Sequence, residues 1–344
     1  MRAPFRVALF GLGNVGGALA RRLVEDADRI TMAAGRPIAL EGIAVAHPEG
    51  RRAPAPILPA AQLLAQPQFD AIVEVMGGLE PASTYIRSAL QAGRQVITAN
   101  KQLVAAQGPR LACLGPLRFE ASVASAIPIV ETLADTLSAD RIGSITGILN
   151  GTTNSILAAM GDGASYADAL ADAQRRGLAE ADPSADVDAH DPAAKLAILV
   201  MLAFRRRIDP SQIERVGIRD VGPEQIENGR QRGFVIKLIA AATTHDDTRI
   251  QADVRPRLVP IDAPMARVDG AMNAIAVDAE YAGSLIFEGP GAGPDAAASA
   301  VLADLIRAAK DAPASAGSLL ATLADASPAT VVPLAATIPY PAAS

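Results

Sequence analysis

The sequence predicts an α/β chain in two parts: a doubly wound parallel sheet, followed by a second α+β domain. Three observations carry that expectation. Short apolar runs alternate with helical spacing over the first third of the chain. A glycine-rich turn, Gly11-Leu12-Gly13-Asn14-Val15-Gly16, lies between the first run and the first helix. The length of 344 residues exceeds one simple core and suits two domains of roughly 100–200 residues each.

Phe5 to Phe10 reads as a buried strand that ends at the glycine turn. Ala18, Leu19, Leu23 and Val24 then fall at helical spacing between Gly16 and Glu25. Further apolar runs at 38–46, 70–75, 95–98 and 117–121 predict four more strands, with a helix over 81–92 before the fourth. Strands alternating with helices imply parallel βαβ units, a Rossmann-type sheet, placed at residues 1–127. Beyond it, Pro128 opens a helical pattern to Ser138, 140–149 reads as a strand, and Gly151-Thr152-Thr153-Asn154 opens a helix. The polar, acid-rich stretch 177–189 reads as a loop. Asp191-Pro192 starts a helix through Leu202, with Asp191 as its N-cap. Strands are expected at 250–260 and 275–287. A glycine turn at 289–293 is followed by a helix over 291–311 that returns to the first domain, and the Ala/Ser/Pro-rich stretch 312–344 is expected to be irregular.

Composition narrows the function. Half the residues are hydrophobic but only 3% are aromatic, so Ala, Val, Leu and Ile must build the core. The net charge of −6, without a large basic cluster, argues against a nucleic-acid partner, and Arg205-Arg206-Arg207 reads as solvated surface. Cys113 is the one cysteine, so no internal disulfide is possible; this fits a reducing, cytoplasmic setting, and the residue is expected to be a small buried hydrophobe. The start of the chain is too short an apolar run for a signal peptide, and no uncharged stretch of ~18 residues predicts a membrane span. His47, His190 and His245 have no metal-ligand spacing.

Three motifs carry chemistry. In the first, Gly11, Gly13, Asn14, Val15 and Gly16 follow a strand and open a helix; glycines let a pyrophosphate approach the helix N-terminus, where free N–H groups favour anions. Gly77, after the third strand, would border the same cofactor. An acid at the end of the second strand usually holds the ribose hydroxyls of NAD, but here the strand runs into Ala46-His47-Pro48-Glu49-Gly50-Arg51-Arg52. Arg51 and Arg52 can instead meet a 2′-phosphate, so the expectation leans from NAD to NADP. In the second, Thr98-Ala99-Asn100-Lys101 closes the fourth strand, where a lysine points into the cofactor crevice. In the third, Glu180, Asp182, Asp186, Asp188 and Asp191 precede Lys195. Asp191 and Lys195 share a helix face; as a plain i,i+4 pair they would contribute only ~0.2–0.5 kcal/mol. Beside a cofactor, the carboxylates suit an α-amino group and the lysine suits a proton donor.

These motifs, with Glu120-Ala-Ser-Val123, Gly147-Ile-Leu-Asn-Gly-Thr-Thr-Asn154 and Gly289-Pro-Gly-Ala-Gly293, resemble the homoserine dehydrogenases, in family order from residue 5 to about residue 310. The resemblance implies NAD(P)-dependent interconversion of L-aspartate 4-semialdehyde and L-homoserine by a homodimer, with 128–290 the catalytic and dimerisation domain. It implies that Lys101 and Lys195 are the active-site lysines, Lys195 being the general acid. Glu180, Asp191, Asp186 and Thr152 would hold the amino-acid substrate, and Gly291 and Gly293 would lie near the nicotinamide end. Glu120, with the carbonyls of Val123, Ser125 and Ile127, would form a monovalent cation site for sodium or potassium. Three departures stand out. Ala124-Ser125-Ala126 replaces a glycine run, Ala189 replaces a glycine, and Leu178 stands where tyrosine is common. The stretch after residue 311 is too short for the family's C-terminal ACT domain. A related dehydrogenase of another semialdehyde, or a nucleotide-binding sensor without turnover, remain the alternative readings.

Overall fold

The structure, a computed structural model, describes residues 2–244 and 249–334. The chain divides into two compact units: Met1–Ser138 with Gly293–Ala326, and Ala139–Ala292 with Ser327–Ser344. His245 lies outside the described residues. The first edge falls at 138/139 rather than 127/128, because the helical segment after Pro128 packs with the first unit. That segment includes a π-helical turn, Thr132–Thr136.

In the first unit, β1 (Phe5–Phe10), α1 (Asn14–Glu25), α2 (Ala27–Ala34), β2 (Ile38–Ala44), α3 (Ala60–Ala65) and β3 (Ala71–Glu74) come in that order. They are followed by α4 (Ala82–Gln91), β4 (Gln95–Thr98), α5 (Lys101–Ala112) and β5 (Leu117–Arg118). The sheet order is β2-β1-β3-β4-β5, every pair parallel. β1 is buried at all positions but Arg6, as a strand covered on both faces must be. The order reverses between β1 and β3, so the turns after these strands border the switch-point crevice where such sheets bind ligands.

The second unit begins with β6 (Ile142–Ile148), α6 (Gly151–Gly161), α7 (Tyr166–Arg175), the single turn α8 (Ser184–Val187) and α9 (His190–Phe204). Then come β7 (Glu214–Arg215), α10 (Pro223–Gln231), β8 (Phe234–Thr244), β9 (Arg249–Pro260), β10 (Met272–Ala279) and β11 (Gly283–Pro290). The chain re-enters the first unit through α11 (Pro294–Ala309) and α12 (Ser315–Ala321), and β12 (Thr330–Val332) joins the second. The second sheet runs β11-β10-β6-β8-β9-β12, with β7 beside β9. Among the described residues no helix is long and apolar enough to cross a membrane.

Several expectations change. Residues 275–287 are a hairpin of β10 and β11, not one strand, because Gly283 takes φ 73° and reverses the chain. The stretch after residue 311 is partly regular, with α12 and β12. Buried Arg118 donates to the carbonyls of Ala312 and Pro313, and a side chain at Gly317 would lie 2.3 Å from the Leu117 carbonyl oxygen, so this segment is pinned against β5. Cys113 is exposed, because it is the C-cap of α5, outside the buried helix face. The N-cap of α9 is Ala189, in left-handed backbone, and Asp191 lies inside the first turn.

Candidate active site

In the first unit the glycine turn after β1 is held in a tight conformation that side chains would block. A Cβ at Gly16 would sit 2.1 Å from the Gly11 carbonyl oxygen, and one at Gly11 (φ 104°) 2.9 Å from the Val75 carbonyl oxygen. Those two glycines let the turn close on itself. Gly13 caps α1, and a Cβ there meets nothing within 4 Å; the same is true at Gly77. Gly13 and Asn14 are exposed and Val15 half-buried, so the N-terminus of α1 faces open space with its N–H groups. Arg51 spans this region, donating from Nη1 to the Leu12 carbonyl (3.0 Å) and from Nε to the His47 carbonyl (2.9 Å). It lines, with Arg52, Gly17 and Arg21, a cavity of about 470 Å³.

Thr98 and Asn100 have their side chains engaged within the first unit. Thr98 donates from Oγ1 to buried Glu74 (2.5 Å) and accepts from the Asn100 N–H (3.0 Å). Asn100 caps α5 by accepting from the Leu103 N–H and donates to the Gly78 carbonyl (2.6 Å). Glu74 also accepts the N–H groups of Met76 (2.7 Å) and Gly77 (3.0 Å). Sequence reasoning missed Glu74; its signal was a lone carboxylate ending the apolar strand Ala71-Ile-Val-Glu74. Lys101 is the first residue of α5, half-buried at the carboxyl end of β4.

In the second unit, α9 runs through the core and is buried from Asp191 to Phe204 except at Ala194, so its first turn carries Asp191 and Lys195 in a low-exposure setting. Lys195 Nζ donates to the Leu149 carbonyl (2.7 Å) and lies 2.8 Å from Asp191 Oδ2. Asn150 Nδ2 donates to Asp191 Oδ2 (2.9 Å) and to Asp186 Oδ1 (2.7 Å). Thus Lys195, Asp191 and Asp186 converge, with Asn150 between the carboxylates. Thr152 Oγ1 instead donates to the Leu178 carbonyl (2.7 Å). Glu180 is exposed and stands outside this bonded group, its carbonyl accepting from Gln174 Nε2 (3.0 Å). Gly291 lies against buried Asn273, 2.0 Å from where a Cβ would stand, and its N–H reaches the Ala271 carbonyl (3.3 Å). Gly293 (φ 122°) caps α11.

A family model described as homoserine dehydrogenase matches residues 128–306, and one described as the NAD binding domain of homoserine dehydrogenase matches 11–115. The chain belongs to the homoserine dehydrogenase family. It is 43% identical over 321 residues to a homoserine dehydrogenase of Mycobacterium bovis, covering 90% of this chain and 73% of that one. The crystal structure of a homoserine dehydrogenase from Thiobacillus denitrificans superposes with a TM-score of 0.88 at 36% identity, over 96% of this chain and 80% of the other. A hyperthermophilic archaeal homoserine dehydrogenase in complex with NADPH matches with a TM-score of 0.77 at 26% identity, over 90% and 99%. The protein is an oxidoreductase acting on a CH–OH group, with a nicotinamide nucleotide as cofactor and homoserine as the alcohol.

Of Ala124, Ser125, Ala126 and Ala189, all but Ala126 adopt backbone that glycine favours. Ala124 (φ 51°), Ser125 (φ 47°) and Ala189 (φ 63°) all occupy left-handed backbone. Such backbone suits glycine, and each Cβ in it carries a cost of ~1–2 kcal/mol. The Glu120 carboxylate accepts the N–H groups of Val130 (2.8 Å) and Glu131 (3.1 Å), and Arg307 Nη1 stands 3.5 Å away. Burial pushes the Glu120 carboxyl up, opposed by those donors. The carbonyl of Ile127 already accepts from the Ile129 N–H (2.9 Å).

Proposed function

We propose that Lys195 is the proton donor and acceptor for the alcohol oxygen in the interconversion of homoserine and aspartate 4-semialdehyde. The observation that carries this reading is the single buried turn that holds Lys195 Nζ between Asp191 Oδ2 and the Leu149 carbonyl. A bound nicotinamide supplies or accepts the hydride. As charge develops on the substrate oxygen, an ammonium held at a fixed point supplies both a positive field and a proton. Asp191 and Asp186 offer carboxylate for the substrate ammonium, exposed Glu180 adds a third, and Thr152 steadies the Leu178 carbonyl beside them. Lys101, at the head of α5 in the first unit, is the second lysine that this reading assigns to the reaction.

Several finer assignments belong to the same reading. NADP is the preferred cofactor, supported by Arg51 and Arg52 beside the cavity at Leu12 and Gly17, and by the NADPH complex of the archaeal relative. Gly291 and Gly293 border the nicotinamide end. A weak sodium or potassium site uses Glu120 and the carbonyls of Val123, Ser125 and Ile127, since the left-handed turn survives there. The enzyme is a homodimer through the second unit, where edge strand β11 leaves Ile286 46% exposed, and the lone cysteine fits the cytoplasm.

Asp191→Asn and Glu180→Gln test the substrate assignment. Each should raise the KM for homoserine tenfold or more, while fluorescence titration of NADPH gives an unchanged Kd. An unchanged KM in both variants would contradict it.

A further inference from the structure

Asn150 carries no role in the reading above, yet its side chain is engaged at both ends. It is the N-cap of α6: Oδ1 accepts from the Thr153 N–H (2.9 Å) and from Thr153 Oγ1 (3.0 Å). That acceptor role fixes which end of the amide faces the helix. Nδ2 therefore faces the other way, and its two N–H groups go to two different carboxylates, Asp186 Oδ1 and Asp191 Oδ2. Two like charges brought together on α8 and the first turn of α9 repel each other, and a neutral double donor between them relieves that repulsion without adding charge. The Asp191 oxygen that accepts from Asn150 is also the one paired with Lys195. The residue before it, Leu149, supplies the carbonyl that holds Lys195 Nζ. One dipeptide at the end of β6 thus sets both anchors of the lysine.

We infer that Asn150 is a positioning residue for the reaction: it holds the Asp186 and Asp191 carboxylates side by side and so fixes the acceptor against which Lys195 is aimed. The inference rests on the assignment of Lys195 above. A helix cap alone would make a different prediction, because Asp caps a helix as well as Asn, and Ser nearly so. Asn150→Asp keeps the cap and turns the double donor into a third carboxylate facing Asp186, Asp191 and Lys195. Asn150→Ser keeps a cap acceptor and removes the donors without adding charge.

The experiment measures kcat and KM for homoserine, the Kd of NADPH and thermal unfolding for both variants and for Lys195→Ala. The expected result is folded protein with unchanged NADPH affinity, kcat at pH 8 down at least tenfold in Asn150→Ser and at least a hundredfold in Asn150→Asp. Turnover of Asn150→Asp within twofold of the unaltered enzyme, while Lys195→Ala is inactive, would overturn the role of Asn150 and leave that of Lys195 standing. Full turnover in Lys195→Ala would overturn both. Loss of folding in Asn150→Ser would reduce Asn150 to a cap and overturn the inference as well.

Discussion

Gly217 gives a sharp test of how the carboxylate segment is held. A Cβ built there would stand 2.2 Å from the Val187 carbonyl oxygen and 2.9 Å from the Asp188 Cα. Both are backbone atoms, and the Val187 carbonyl is fixed by the Ile218 N–H at 2.9 Å. Gly217→Ala must therefore push Val187–Asp188 away by roughly 1 Å, the shortfall from ordinary contact, or break that hydrogen bond. Overpacking of this kind costs ~1–3 kcal/mol. The pushed segment lies between Asp186 and Asp191, and a ~1 Å misplacement of catalytic groups can cost ~10²-fold in rate. The assay pairs denaturant unfolding with steady-state turnover. Gly161→Ala is the control: it ends α6 with nothing within 4 Å of the added atom, and should lose neither stability nor turnover. If Gly217→Ala keeps both its stability and turnover within twofold, the contact at Val187 does not position the site.

Other expectations follow from particular contacts. Arg51→Ala/Arg52→Ala should lower the preference for NADPH over NADH at least tenfold, and an unchanged ratio of kcat/KM values would remove the case for a 2′-phosphate contact. Ser125→Gly relieves ~1–2 kcal/mol of left-handed strain against ~0.5–1 kcal/mol of extra chain entropy, so a small gain in unfolding free energy is expected; a clear loss would show that the serine side chain outweighs the strain. Arg219 holds the Asp188 carboxyl below its usual range through hydrogen bonds at 2.5 and 3.0 Å. A depressed carboxylate pKa contributes stability that is present above the unfolded value and lost as pH falls through the folded one. Arg219→Gln should therefore lower stability only slightly at pH 7, since the pair is substantially exposed, and the difference should fade on acidification below ~4; a loss that persists in acid would contradict the pairing.

Much of this molecule is legible in its sequence because single residue types force single geometries. The turn after β1 is one case: Gly11 and Gly16 stand where any side chain would strike backbone. The head of α9 is another, where Asp191 and Lys195 at i,i+4 had to share a face, and they meet at 2.8 Å. What stayed hidden depends on partners distant in sequence. β8 carries buried Lys237 within an alanine-rich run, and no periodicity reveals that Nζ is satisfied by Asn154 and the Val268 carbonyl. The ordered stretch after α11 depends on Arg118, almost two hundred positions away along the chain. The place of Thr98 and Asn100 after a strand was legible, but not that their side chains meet buried Glu74 and the Gly78 carbonyl. Asn150 was visible within its motif, yet only the fold brings Asp186 and Asp191 to its amide.

The proposed role of Lys195 is to move the proton while the surrounding residues bind and orient the substrate. It is tested most directly by single-turnover hydride transfer in Lys195→Ala, with NADPH and aspartate semialdehyde both saturating. Lys195 lies in a helix interior where Ala is favourable, so the variant should fold and bind NADPH normally. The transfer rate should fall by at least ~10²-fold, the low end for loss of a general acid. A rate within a few-fold of the unaltered enzyme would contradict it.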